Sequence, residues 1–155
     1  MYAIKIFADH YQFYIFDSAY DHYSNVRLDW RNEETESYGY LKTEHCIYVS
    51  TVSDLNSHRV RVYVNEGQHL VYERKFESLI NIPSGRLIIS APANSEDDDL
   101  AIPLESGLYK ITICSNSIGK DMLSYDARYD ENMSDDEYLK HDEFEYYDIF
   151  LIKNI

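Results

Sequence analysis

Short runs in which apolar and polar side chains alternate recur along the whole chain, and this feature constrains the fold most strongly. Residues 59–65 place three valines on one face of an extended chain and two arginines on the other. Residues 11–16 are apolar on both faces, which predicts a strand buried on both sides. Further strands are predicted at 2–7, 26–30, 47–51, 70–76, 86–90, 108–114 and 146–152.

The strand runs follow one another without intervening helical periods, so a parallel α/β sheet is not expected. We predict one all-β domain over residues 1–155, an antiparallel β-sandwich of about nine or ten short strands. One or two short helical turns are also expected. Ser134 and Glu137 have the spacing of a capping box, which predicts a short helix over 135–142. The polar stretch 29–40 has room for one helical turn before Gly39.

The charge of the chain is large and unevenly placed. The 155 residues include 28 acidic and 14 basic side chains, a formal net charge of −14. Residues 1–95 carry 12 acidic and 9 basic side chains, whereas residues 96–155 carry 16 and 5. We therefore predict acidic loops at 96–99 and 121–145 on a nearly neutral β framework. The negative surplus argues against direct binding of nucleic acid or of anionic membranes.

Cysteine usage and the N-terminus indicate the compartment. Cys46 and Cys114 both lie inside apolar alternating runs, which predicts buried free thiols and favours a reducing cytoplasm. Residues 1–10 lack the charged-then-apolar order of a signal peptide. No run approaches the roughly 18 apolar residues that a membrane helix needs. A cytoplasmic location is the expectation.

Motifs of catalysis or metal binding are not found in the sequence. It contains no glycine-rich phosphate loop, no Gly-x-Ser-x-Gly and no metalloprotease histidine pair, so we predict a protein that is not an enzyme and needs no cofactor or metal. Asp126, Asp130, Asn132 and Glu137 fall at ligand positions of a calcium loop, but Arg128 and Glu131 break its pattern. A calcium site using 97–99 stays open as an alternative.

The acidic loops also contain tyrosines, and this combination suits a protein interface. Acid clusters steer a basic partner, and tyrosines supply buried contact area after docking. The competing interpretation is a solvated loop system that maintains solubility, and composition alone does not decide between the two. Tyr146 and Tyr147 lie at the end of this acidic stretch. The residues predicted to bind the partner are Asp97, Asp98, Asp99, Tyr129, Asp130, Glu131, Asp135, Asp136, Glu137 and Tyr138.

Several short segments, in order along most of the chain, resemble the competence protein J (ComJ) or Nin nuclease-inhibitor family. They are Tyr11-Gln12-Phe13-Tyr14-Ile15-Phe16, Leu28-Asp29-Trp30 with Glu33, Tyr38-Gly39-Tyr40, Tyr72-Glu73-Arg74-Lys75, and Pro103-Leu104-Glu105-Ser106-Gly107-Leu108-Tyr109-Lys110-Ile111-Thr112. That family has a His-Gln-Phe strand, an Asp-Trp followed by an acid, and a Gly-Tyr at similar spacing. This chain departs from the family in its much longer acidic insertion between Cys114 and Tyr146.

The resemblance implies an acidic cytoplasmic inhibitor that binds and occludes a basic protein, with a DNA-entry or toxin nuclease as the target. It supplies no inhibitory residues position by position, so the predicted surface rests on charge. The alternatives are a carbohydrate- or calcium-binding β-sandwich module and a structural assembly protein.

Overall fold

The computed structural model describes residues 1–8, 12–20, 39–51, 56–68, 71–92, 99–117 and 145–154. Their secondary structure consists of strands joined by turns, without a helix in these ranges. The strands are β1 (Tyr2–Ala8), β2 (Gln12–Asp17), β3 (Tyr40–Lys42), β4 (Cys46–Ser50), β5 (Asn56–Val64), β6 (Arg74–Ile82), β7 (Arg86–Ser90), β8 (Leu100–Pro103), β9 (Gly107–Ser117) and β10 (Glu145–Lys153).

The ten strands form two five-stranded sheets. Sheet A has the order β1-β5-β10-β9-β6, and sheet B has the order β3-β4-β2-β7-β8. Neighbouring strands are antiparallel except for β5 and β10, which run parallel with Arg61 opposite Asp148. The β6–β7 turn at Pro83–Gly85 carries the chain from one sheet to the other. The predicted all-β sandwich of about ten strands is confirmed.

The core lies between the sheets and is built by the predicted alternation. Val60 and Val62 of β5 point inward and are fully buried, as are Ile111 of β9 and Ile149 of β10. They meet Ile15 and its neighbours from sheet B in one continuous apolar cluster. Burying one such aliphatic side chain contributes about 1.5–3 kcal/mol, so this layer supplies most of the driving force for folding.

Strand β2 is buried on both faces, as its sequence predicted. Phe13 and Ile15 belong to the core between the sheets, whereas Tyr14 and Phe16 pack on the outer side of sheet B with Tyr48. The rings of Tyr14 and Tyr48 meet edge to face with centroids 5.2 Å apart. Sheet B therefore has an aromatic layer on its outer side as well as a core-facing side.

Three strands differ from the sequence prediction. The strand expected at 70–76 is β6, which begins only at Arg74 and ends at Ile82, since the residues before it cross the sheet instead of joining it. The short strands β3 and β8 were not predicted, and each pairs with only one neighbour in the described sheets. The strand expected at 26–30 and the helical turns expected within 29–38 and 135–142 lie outside the described residues.

Both cysteines are free and buried, in agreement with the prediction. Cys46 packs in the aromatic layer of sheet B, and Cys114 lies on the outer side of sheet A. Burial raises the pKa of Cys46 to about 12 and that of Cys114 to about 11. Both groups are therefore protonated, unreactive thiols at neutral pH.

Candidate functional site: one end of the sandwich

Four of the connections between strands leave and rejoin the described structure at the same end of the molecule. At this end β1, β4, β7 and β9 finish, and β2, β5, β8 and β10 begin, as shown by the pairs Ala8↔Asn56, Gln12↔Ser50 and Ile89↔Leu100. The two sheets meet here through Phe13 and Tyr147, whose rings pack edge to face at 4.9 Å. We call this the acidic end, because most of the negative surplus of the chain belongs to segments that leave and rejoin the described structure here.

The charge of the described residues is balanced. They contain nine acidic and nine basic side chains, so the β framework has no formal net charge. The surplus of 14 negative charges belongs to segments 9–11, 21–38, 52–55, 93–98 and 118–144. All of these except 21–38 are flanked on both sides by described residues at the acidic end, and these four segments hold 14 acidic and 3 basic side chains. The topology thus attaches the negative surplus mainly to one end.

Asp99 is the only predicted partner-binding residue within the described ranges. It lies immediately before β8 at the acidic end and is half-buried. Burial raises the pKa of its carboxyl group from 3.8 to about 7. Asp99 is consequently only partly ionised at neutral pH and is a weaker source of steering charge than a solvated aspartate.

The other predicted residues lie outside the described part of the chain. They are Asp97, Asp98, Tyr129, Asp130, Glu131, Asp135, Asp136, Glu137 and Tyr138. Two tyrosines that end the acidic stretch are described, and they differ. Tyr147 is fully buried and faces the core, so it is not available to a partner. Tyr146 is half-buried on the outer face of sheet A, with the Arg61 guanidinium 5.5 Å from its ring centroid.

Arg74 ties several strand ends together beneath the acidic end. Its Nη2 donates hydrogen bonds to the carbonyl oxygen of Ser50 at 2.7 Å and to the hydroxyl of Tyr147 at 2.8 Å. Its Nε donates to Oγ of Ser115 at 3.1 Å. One guanidinium therefore connects the ends of β4, β6, β9 and β10, and so links the two sheets. Sequence reasoning missed this role, because the donors and acceptors come from distant parts of the chain.

The space for Arg74 depends on Gly39. Gly39 has a φ of 79°, a conformation that glycine adopts readily and other residues rarely. A Cβ added there would lie 2.9 Å from Nη1 of Arg74. The glycine thus permits both the turn into β3 and the close approach of the guanidinium.

The connection between β5 and β6 crosses the outer face of sheet A. β5 ends opposite the acidic end and β6 begins at it, so this connection runs the length of the sheet. Its Tyr72 donates a hydrogen bond of 2.6 Å to Oδ2 of Asp148, which is fully buried. Arg61 binds both oxygens of the same carboxylate, at 2.6 and 2.8 Å. Asn116 secures the connection further by accepting from the amide of Glu73 and donating to the carbonyl of Val71.

The contacts among Arg61, Tyr72 and Asp148 shift the pKa values of the two donors upward. The hydrogen bond to Asp148 raises the pKa of Arg61. Burial, and then the hydrogen bond to Asp148, raise the pKa of Tyr72. Asp148 lies in the acidic half of the sequence, but its charge is neutralised inside the framework and does not contribute to the acidic end. Sequence reasoning missed this role, because the partners Arg61 and Tyr72 lie 87 and 76 positions away.

Among the described residues there is no group of three or more histidine, cysteine or acidic side chains placed to hold a metal ion. The same ranges contain no helix that is long and apolar enough to cross a membrane.

The structure defines a ten-stranded β-sandwich with a neutral framework and acidic connections. Two solved structures share this fold. One is ComJ from Bacillus subtilis, described as an inhibitor of the DNA degrading activity of NucA, with a TM-score of 0.72 and 15% identity over 99% of this chain and 96% of ComJ. The other is the crocagin biosynthetic gene J protein, with a TM-score of 0.58 and 12% identity over 96% and 94% of the two chains. At these identities the likeness shows the fold. No protein-family model and no curated protein sequence matches the chain.

Proposed function

We propose that this protein is a non-enzymatic inhibitor that binds a basic protein, first of all a DNA-degrading nuclease, through its acidic end. The observation that carries the proposal is the separation of charge: a framework without net charge, and 14 acidic against 3 basic side chains in the four segments that leave and rejoin it at one end. An acidity that served only solubility would have no need to be concentrated in this way.

The chemistry of a nuclease explains why such an end would inhibit it. A nuclease cleft must be cationic to hold a phosphate backbone. An array of carboxylates offers the same charge and hydrogen-bond acceptors as the phosphates, and it can occupy the cleft without being cleaved. Opposite charge also raises the association rate, to 10⁸ M⁻¹s⁻¹ or more at low salt in favourable cases.

Within this surface, the proposed roles follow residue type. Tyr129 and Tyr138 are the proposed anchors, because tyrosine buries a large ring and keeps a hydroxyl for hydrogen bonding. The acidic residues proposed to steer the partner are Asp97, Asp98, Asp99, Asp130, Glu131, Asp135, Asp136 and Glu137. Asp99, with its raised pKa, contributes less charge at pH 7 than the others.

The structural neighbour supports the class of target by analogy. ComJ has the same fold over nearly its whole length and inhibits a DNA-degrading enzyme. At 15% identity the partner does not transfer with the fold, so the nuclease target belongs to this proposal. A cytoplasmic location is part of the same proposal, and the two free buried thiols are compatible with it.

The proposal is tested by an inhibition assay on nucleases of the native host. A host extract is separated by cation exchange, and each basic fraction is assayed for degradation of plasmid DNA with and without the purified protein. We expect at least one fraction to lose its activity at a stoichiometric amount of protein. If every DNA-degrading fraction retains full activity at a large excess of protein, the nuclease-inhibitor function is wrong.

Two double charge reversals provide the matched comparison. Asp135→Lys with Asp136→Lys changes the acidic segment 118–144, whereas Glu44→Lys with Glu66→Lys changes two exposed acids at the opposite end of the sandwich. Both variants alter the net charge by the same amount. We expect the first to weaken inhibition at least tenfold and the second to change it less than threefold. Equal effects would show that total charge, and not the acidic end, determines binding.

A further inference from the structure

Strand β6 forms one edge of sheet A and is long for an edge strand. It has nine residues and, within the described part of the chain, pairs only with β9. Its outward side chains are exposed: Lys75 at 46%, Glu77 at 47% and Leu79 at 44%. An edge of this length that no other described strand covers offers main-chain donors and acceptors to another strand. Phe76, the third residue of this strand, stacks on Tyr40 with ring centroids 4.0 Å apart.

The charges on β6 are complementary to those of a second β6 in one alignment. When two copies of a strand pair antiparallel about a two-fold axis, residues directly opposite each other lie on the same face of the sheet. With the axis at Phe76, Lys75 lies opposite Glu77 of the partner subunit, and the reverse pair forms symmetrically. Axes at Lys75 or at Glu77 would instead place identical charges opposite each other, which is unfavourable. Of these three alignments, the charges favour the one centred on Phe76.

The same arrangement is compatible with the large negative charge of the chain. The acidic end lies at the start of β6. Because the paired strands run in opposite directions, the acidic ends of the two copies would face in opposite directions, one on each side of the two-fold axis. The surfaces brought together belong to the neutral framework, and salt at about 0.15 M screens the repulsion between the acidic segments beyond about 8 Å.

We propose that the partner of the β6 edge is a second copy of this chain, joined antiparallel so that the two sheets A become one ten-stranded sheet. The pairing covers residues 74–78 of both strands, with two Lys75–Glu77 contacts on the outer face. An interface built on five residues from each strand is small, so we expect a weak dimer that depends on protein concentration.

The test is the oligomeric state of the full chain by sedimentation velocity, between 5 and 500 µM protein at about 150 mM salt. We expect the wild-type protein to shift from monomer to dimer across this range. Lys75→Glu and Glu77→Lys each create like-charge contacts and should raise the dissociation constant at least tenfold. The combined swap restores opposite charges and should return the dissociation constant to within about threefold of the wild-type value.

The control is Glu66→Lys, which changes the charge by the same amount as Glu77→Lys at an exposed position away from the β6 edge. It should not weaken the dimer. Circular dichroism shows whether each variant is folded. Lys75→Glu and Glu77→Lys test the same contact separately, so either one, if folded, can be compared with the wild-type protein. A wild-type chain that stays monomeric at 500 µM would overturn the proposal. A dimer that neither reversal weakens, or that the combined swap fails to restore, would overturn it as well.

Discussion

At the scale of the residue, Asp148 is an acidic side chain that stabilises the fold instead of adding to the surface charge. Its carboxylate is fully buried and is satisfied by Arg61 and Tyr72. Removing one member of such a group leaves the others without partners, which costs more than the group contributes when intact. The sequence suggested only that Asp148 belonged to an acidic half of the chain, because the partners lie 87 and 76 positions away.

Replacing Asp148 is therefore expected to destabilise the fold strongly. Asp148→Ala should lower the free energy of unfolding by roughly 2–4 kcal/mol, since it leaves the Arg61 guanidinium without its carboxylate and frees the β5–β6 connection. Glu77→Ala is the control, because the ion pairs of this exposed side chain are worth about 0–1 kcal/mol. Urea unfolding followed by circular dichroism measures both values, and similar losses for the two variants would contradict this role of Asp148.

Asp99 makes a separate prediction about pH. Its carboxyl pKa is raised by burial from 3.8 to about 7, so the folded state holds this proton more tightly than the unfolded state does. The resulting contribution to stability is fully present below pH 3.8 and is lost as the pH rises through 7. The free energy of unfolding of the wild-type protein, relative to that of Asp99→Asn, should fall between pH 4 and 7. Above pH 7 the difference between the two proteins should stay constant. A difference between the two proteins that does not change with pH would show that Asp99 is not perturbed.

At the scale of the element, sequence patterns predicted the central strands better than the edges. The clear alternation of β5 and the two-sided burial of β2 follow from side chains that pack on a core. β3 and β8 are short, half-buried edge strands, and a few residues of that kind have no distinctive period. β6 was placed too early because 70–73 is apolar enough to suggest a strand, whereas Tyr72 packs across the face of sheet A. The parallel pairing of β5 with β10 joins segments that are distant in sequence, so no local pattern predicts it.

The turn into β3 can be tested through its glycine. Gly39→Ala places a Cβ at a φ of 79° and 2.9 Å from Arg74, so it combines backbone strain with displacement of the guanidinium. We expect a loss of about 1–3 kcal/mol in the free energy of unfolding. Gly67→Ala is the matched control, since its Cβ would meet nothing within 4 Å and its φ is not in the left-handed region. It should be neutral, or slightly stabilising because the unfolded chain becomes less flexible. Thermal melts of the two variants give the comparison, and equal melting temperatures would contradict the role of Gly39.

At the scale of the whole molecule, the net charge of −14 has a specific distribution. The sequence predicted acidic loops on a nearly neutral framework. The structure sharpens this statement, since the described residues balance nine acidic against nine basic side chains and the four connections with most of the surplus share one end. Locating this end required the topology, because it depends on which strands run up and which run down. The partner-binding residues within these connections remain a proposal based on charge and residue type.

The central claim is that the acidic end, and not the total charge, binds a basic partner. The most direct measurement is the association rate with the inhibited nuclease as ionic strength rises from about 50 to 500 mM, for the wild-type protein and the two double charge reversals. Long-range attraction predicts a rate that falls steeply with salt. We expect Asp135→Lys with Asp136→Lys to lower the rate at 50 mM and to flatten its salt dependence, and Glu44→Lys with Glu66→Lys to leave the wild-type dependence nearly unchanged. Identical salt dependences for all three proteins would contradict the claim.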